Sequence, residues 1–277
     1  MLKDIMLALP AWPDTAAPGA VAKATDIAKF FDSHLNCVIV EPRVPMPISR
    51  RPYGPQLEKL LEERQSEARD SAIAQKAAFE DIASRAGISY ATRIAKVTDG
   101  SQMSDTLVDH ARLRDLTIMP FVADNDASRD MVQALVFESG RPVLVLPQDS
   151  QAGFRLDKVV VAWDGGRPAA RAVGDALPLL QCAGEVRIVS IAHDKQMPDE
   201  ASGVELANSL ARNGVNVTFE EIEKGKRSVG EALEEASTGA DLVVMGAFGH
   251  SRIRDFFLGG ATMHTLRKPL RPTLLSH

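Results

Sequence analysis

The sequence predicts a doubly wound α/β protein made of two tandem, five-stranded, parallel-sheet sandwiches. Three observations carry that reading. Short apolar runs alternate with Ala-rich helical patterns along the chain, as strands covered on both faces alternate with their crossover helices. The second half repeats the first: KDIMLALP (Lys3–Pro10) is echoed by DKVVVAWD (Asp157–Asp164), and DLTIMP (Asp115–Pro120) by DLVVMG (Asp241–Gly246). Both halves close on an Arg-Pro step and an apolar run, GRPVLVLP and LRPTLLSH.

Taken in order, Lys3–Pro10 reads as a first buried strand. Its Asp4 and its short apolar run set it apart from a secretory signal. A helix follows in APGAVAKATDIAKFF, then a strand in HLNCVIVEP. The Pro/Arg-rich EPRVPMPISRRPYGP leads into a long helical pattern from Gln56 to about Ala86. That pattern mixes charges with Leu57, Leu60, Leu61 and Ala68, as a solvated helix laid over the sheet would. A partner-binding arm at Arg50 and Arg51 is the alternative reading of this region. The polar QDSQAGF carries no periodicity, so a boundary falls near Gln148–Phe154, dividing the chain into residues 1–150 and 151–277. The second half then reads strand (Asp157–Asp164), helix (RPAARAVGDALPLL), strand (EVRIVSIAHD), helix (ASGVELANSLARNG) and strand (DLVVMG). A last helix opens at Gly259–Gly260 and runs through Met263, Leu266 and Arg267 until Pro269 and Pro272 stop it.

Composition narrows the function. Apolar residues make up 45% of the 277 and charged residues 25%, the balance of a globular protein with a sizeable core. A formal net charge of -5 argues against a general nucleic-acid or anionic-membrane binder. No apolar run approaches the roughly 18 residues that span a bilayer. The two cysteines, Cys37 and Cys182, have neither metal-ligand nor redox spacing and read as core thiols in a reducing cytosol. The six histidines form no pair at metal-ligand spacing, so no metal site is expected.

The stretch with chemical promise is VVMGAFGHSRIRDFFLGGAT, Val243–Thr262. Gly246 and Gly249 follow a strand and let the backbone bring N–H groups close to an anion. Gly259 and Gly260 stand where a helix begins, so unsatisfied N–H groups and the positive end of its dipole would face the same anion. His250, the first residue of the loop, and His193, at the end of the second strand of this half, are within candidate reach of a ligand, Arg252 and Arg254 are candidate phosphate contacts, and Thr262 can add a hydroxyl. The bland alternative is that these glycines only permit two turns. Walker A fails at Glu220, where its first glycine should stand before Gly225-Lys226-Arg227-Ser228. No dinucleotide fingerprint and no G-x-S-x-G elbow occurs. Without a nucleophile–base pair there is no case for a hydrolytic enzyme, and no catalytic residue is assigned.

The pattern G-x2-G-x9-G-[S/T] after a fourth strand, with AWDGG at the end of a first strand, resembles the universal stress protein family. The likeness is strong in Leu156–His277 and weak in Met1–Pro147. It implies a Rossmann-like fold of the adenine-nucleotide alpha-hydrolase type and a cytoplasmic, often dimeric, ATP-binding protein of the stress response without well-defined catalysis. By the same resemblance, Gly246, Gly249 and Gly259 match the glycines that cradle phosphates and ribose. Asp164 matches the first-strand Asp near the nucleotide, and Ile191 and Ala192 flank the adenine. ATP, with Mg²⁺ on its phosphates, is the implied cofactor; slow ATP turnover and a nucleotide-free interaction module are the competing readings. Gly260 departs from the pattern, which has Ser or Thr there, and Thr262 can compensate. The first half departs further: Pro10 stands opposite Asp164, Pro120 opposite Gly246, Ala123 opposite Gly249, and Arg129 and Asp130 opposite Gly259 and Gly260. It is expected to lack the site and to pair with the second half as an internal pseudo-dimer.

Overall fold

In a computed structural model of the chain, residues 2–12, 15–43, 55–98, 101–150, 153–192, 202–247 and 260–277 are described. Arg50, Arg51, His193, Gly249, His250, Arg252, Arg254 and Gly259, singled out in the sequence, lie outside the described residues. The first half runs β1 (Asp4–Pro10), α1 (Pro18–Phe31), β2 (His34–Pro42), α2 (Pro55–Ala86), β3 (Tyr90–Val97), α3 (Ser101–Ala111), β4 (Leu116–Phe121), α4 (Asp126–Glu138) and β5 (Val143–Pro147). The second runs β6 (Lys158–Ala162), α5 (Arg167–Leu180), β7 (Glu185–Ile191), α6 (Gly203–Arg212), β8 (Val217–Ile222), α7 (Val229–Ala236), β9 (Leu242–Gly246), α8 (Gly260–Arg267) and β10 (Thr273–Ser276).

The strands form a ten-stranded sheet in the order β3-β2-β1-β4-β5-β10-β9-β6-β7-β8. Pairing is parallel within each half. Only β5 and β10 run antiparallel, with Leu144 opposite Leu274. The repeat seen in the sequence extends to individual hydrogen bonds. Asp115 accepts from the Lys3 and Asp4 N–H groups at 2.8 and 3.0 Å, as Asp241 accepts from that of Lys158 at 2.9 Å. The Thr117 N–H reaches the Pro142 carbonyl at 3.1 Å, and the Val243 N–H reaches that of Pro272 at 3.0 Å.

Helices cover both faces because the strands are apolar on both. Ile27 of α1, Phe79 of α2, Ala172 of α5 and Leu210 of α6 join one core, which includes Leu144 of β5 and Leu274 of β10. Leu107 of α3, Leu135 of α4 and Leu266 of α8 join the other, with Val145 of β5 and Leu275 of β10. Both cores therefore cross from one half to the other. The long helix α2 is more than a solvated cover: Ala68, Ala72, Phe79 and Ala83 are fully buried along one of its faces. The two sheet edges carry charge, Arg93 and Lys96 on β3 and Glu220 and Glu221 on β8, which opposes further strand addition.

The cysteines divide. Cys37 is a core thiol, and burial pushes its pKa up, with the Glu80 charge adding to the effect. Cys182 is exposed just beyond α5, so the core reading does not hold for it: the helix has ended and its side chain faces solvent on the turn. A thiol reagent is expected to label Cys182 alone in the folded protein and both cysteines after denaturation. Rapid native labelling at Cys37 would contradict the packing of β2.

Candidate functional site

Ligands of open parallel sheets bind outside the carboxyl ends of the strands, where the strand order reverses. In the second half that point lies between β6 and β9, because the chain steps outward from β6 to β7 and β8 and then returns to the other side of β6. Ala162 pairs with Met245, so Trp163 and Asp164 leave the sheet beside Gly246.

The turn after β6 is built around its aspartate. Gly165 sits in the left-handed region at φ 67°, which favours a residue without Cβ. The Gly166 N–H donates to Asp164 Oδ1 at 2.9 Å, and a Cβ on Gly166 would come within 2.8 Å of the same oxygen. Gly166 is also the N-cap of α5, whose first turn carries Pro168. Asp164 therefore shapes the turn that launches α5, besides standing at the crevice. Ile191 and Ala192 are buried at the end of β7, and the Ala192 N–H donates to the Ile222 carbonyl at 2.9 Å. Ser190 was not singled out from the sequence. Its buried Oγ donates to the Trp163 carbonyl at 2.9 Å and ties the ends of β6 and β7 together beneath the turn. The signal was there, a lone hydroxyl within the apolar run EVRIVSI.

Gly246 has a reason of its own. It is still part of β9, and a Cβ there would meet the backbone of α5, 2.4 Å from Ala169 N and 2.5 Å from the Pro168 carbonyl carbon. Close helix–strand packing demands glycine at this position whatever a ligand requires. Gly260, by contrast, is exposed at the first turn of α8, and a Cβ there would meet nothing within 4 Å. Thr262 is buried with Leu266 on the inner side of α8. The helix is held laterally by α7: His264 pairs with Glu234, and Gly230 makes room, since a Cβ on it would lie 2.4 Å from His264 Cβ. The structure thus gathers Asp164, Ile191, Ala192 and Gly246 at one sheet edge, and Gly260 and Thr262 open the helix that follows.

The start of α7 carries a capping box. The Ser228 N–H donates to Glu231 at 2.7 Å, and the Glu231 N–H donates to Ser228 Oγ at 3.2 Å. The bond from the Ser228 backbone holds the Glu231 carboxyl below the usual range, aided by the Ser228 side chain and the charges of His264 and Arg227. A depressed carboxylate favours folding above its unfolded pKa, and that contribution disappears as pH falls through the folded value. Glu231→Gln is therefore expected to flatten the acid limb of the urea midpoint against pH. An unchanged acid limb would show that the ionisation of Glu231 contributes nothing to stability.

The first half offers no such edge. At the position of Gly246 it has Pro120, buried in β4 and lacking an N–H. Its helix α4 begins at Asp126, and the Asn125 side chain accepts from the Ser128 N–H at 2.8 Å. Asp130, aligned with Gly260, consequently lies inside the helix rather than at its start, because the Asn125 cap opens that helix earlier. Helix α2 covers the end of β1: Ser71 Oγ donates to the Ala11 carbonyl at 2.6 Å and Gln75 Nε2 to that of Pro10 at 3.2 Å. The Arg64 guanidinium lies 5.8 Å from the ring centre of Trp12.

Residues 155–277 match the model of the universal stress protein family. The second half is therefore similar to a universal stress protein domain. Universal stress protein Slr1230 of Synechocystis sp. is 30% identical over 141 residues, 48% of this chain and 46% of that protein, so the match spans about half of each. A universal stress protein from Archaeoglobus fulgidus DSM 4304 superposes with a TM-score of 0.71 over 99% of this chain and 96% of its own, at 16% identity. A functionally unknown protein from Pseudomonas aeruginosa PAO1 superposes with a TM-score of 0.56, covering 98% and 92% at 16% identity. These structures share the fold across both halves. Among the described residues no cluster of His, Cys, Asp or Glu could hold a metal ion, and no helix is long and apolar enough to cross a membrane.

Proposed function

We propose that the second half binds one adenine nucleotide, ATP in the first instance, and that the chain acts as a cytoplasmic regulatory protein of the stress response. The observation that carries this reading is the strand-order reversal between β6 and β9, which brings Asp164, the end of β7 and Gly246 to the carboxyl ends of neighbouring strands. The residue types suit the ligand. The open first turn of α8 presents N–H groups to phosphates, and the buried Ile191 and Ala192 offer an apolar edge to a base. Asp164 is the one carboxylate among the proposed site residues, and it would face a Mg²⁺ carried on the phosphates, neutralising their charge. In the sequence motif, Gly249, His250, Arg252 and Gly259 would complete the site. The first half, closed by α2 and by Pro120, serves as the structural partner of the second in an internal pseudo-dimer.

Gly260→Asp tests the site with little risk to the fold, because the space around that Cβ is open. An acid at the first turn of α8 would compete with phosphate for the same N–H groups. Calorimetry with ATP and Mg²⁺ is expected to give one site per chain in the parent and a loss of about tenfold or more in the variant. Equal affinity in both would remove α8 from the site, and no heat in the parent would favour a nucleotide-free interaction module.

A further inference from the structure

A second concavity lies on the α7/α8 face of the sheet, toward the other end of α8. Its floor is Ala162, Val243 and Met245, and Leu233 of α7 and Leu270 form apolar walls. The groove holds about 410 Å³ of empty space with its open mouth included. It suits a charged head group on a short tail better than a fully enclosed ligand.

The polar groups around it are unevenly satisfied. Ser237, Thr265 and Thr273 each spend their hydroxyl hydrogen on a backbone carbonyl, those of Leu233, Ala261 and Arg271. Glu234 is engaged by His264. Two cations remain, the side chains of Lys268 and Arg271, and among the described residues neither side chain makes a hydrogen bond or a close ion pair. Arg271 is the telling one. It is half-buried, and desolvation lowers its pKa while the more distant Glu234 charge opposes the fall. The corresponding arginine of the first half, Arg141, donates to the Arg112 carbonyl at 3.3 Å. A half-buried guanidinium without an acceptor is a cost that a planar oxyanion would remove, because its donor fork matches a carboxylate.

We propose that the groove between α7 and α8 binds a small carboxylate with a short apolar tail, its head on Arg271 and Lys268 and its tail on Leu233, Met245 and Leu270. This site is separate from the proposed nucleotide crevice and does not depend on it.

The test is a titration of the full-length, isotope-labelled protein with hexanoate, acetate and inorganic phosphate, followed by backbone amide NMR. Hexanoate is expected to shift the amides of 233–237 and 265–271 saturably, with affinity at least about tenfold above that of acetate. Arg271→Gln should weaken hexanoate about tenfold, and Lys268→Gln, on an exposed side chain, should weaken it less while leaving the fold untouched. Hexanoate binding that is equal in the parent and both variants, or the absence of saturable shifts, would overturn the proposal. Phosphate binding more tightly than hexanoate would overturn the assignment of an apolar tail.

Discussion

Gly246→Val is expected to detach α5 from the sheet and lower the melting temperature of the chain by roughly 10 °C. The first atom of any side chain at 246 would meet backbone on three sides: Ala169 N at 2.4 Å, the Pro168 carbonyl carbon at 2.5 Å and Ala169 Cα at 2.9 Å. A backbone obstacle cannot rotate away, so the whole first turn of α5 must move. That helix buries Ala169, Ala172, Val173, Ala176, Leu179 and Leu180, and lifting it loosens much of one core. A cost of about 3–5 kcal/mol follows. Gly203→Ala is the control. A Cβ there would come 2.0 Å from Phe219 Cε2, an apparently worse clash, yet the obstacle is a ring on the edge strand β8 that can shift. It should cost less than about 2 kcal/mol. Similar melting temperatures for Gly246→Val and the parent would show that α5 does not pack as described. Because α5 starts at the Asp164–Gly166 turn, loss of nucleotide binding in Gly246→Val would by itself say nothing about direct ligand contact.

Leu274→Asp is expected to destroy the junction between the halves at a cost above about 4 kcal/mol. Leu274 is fully buried at the centre of β10, opposite the equally buried Leu144 of β5. Both cores continue through this antiparallel pair, with Val244 and Leu146 on one face and Met245 and Val145 on the other. A carboxylate there has no partner, whereas Leu274→Ala leaves only a cavity and should cost about 2–4 kcal/mol. Urea unfolding of the parent should be a single transition, since the two larger cores both run through β5 and β10 and only the small cluster around Val160, Val189 and Val243 belongs to one half. Leu274→Asp should split it in two or abolish folding. A single transition with an unchanged midpoint would mean that the halves are stable independently and merely touch.

Much of the fold was legible because its signals are local. Apolar runs marked the strands, Ala-rich periods marked α1 and α5, and the Pro269 and Pro272 pair ended α8 close to Arg267 as expected. The repeat was legible for the same reason, since the order of short segments is visible without knowing what they touch. The start of α4 was not legible from the repeat. Alignment sets Asp130 opposite Gly260, which opens α8, but Asn125 supplies a cap earlier, and the Ser128 N–H donates to its side chain. The exposure of Cys182 was missed because a thiol after an apolar helix reads the same whether or not something packs over it.

Of the candidate site, the sequence singled out Asp164, Gly246 and Gly260 by residue type and spacing, but for one of them the structure supplies a reason that spacing did not carry. Gly246 was read as a turn that serves an anion; in the structure it is a strand residue whose missing Cβ admits α5. Residue type announces that something must come close, and only the path of the chain says what. The same limit applies to α2, whose charges suggested a solvated helix while Ser71 and Gln75 bind the carbonyls at the end of β1. It applies again to Arg271, an ordinary Arg-Pro step in the sequence that becomes a half-buried cation beside a groove. Strand, helix and repeat were set within the sequence by local periodicity. Which strand closes on which, which backbone a glycine receives and which charge is left without a partner were decided in three dimensions, because each depends on contacts between residues that no spacing along the chain connects.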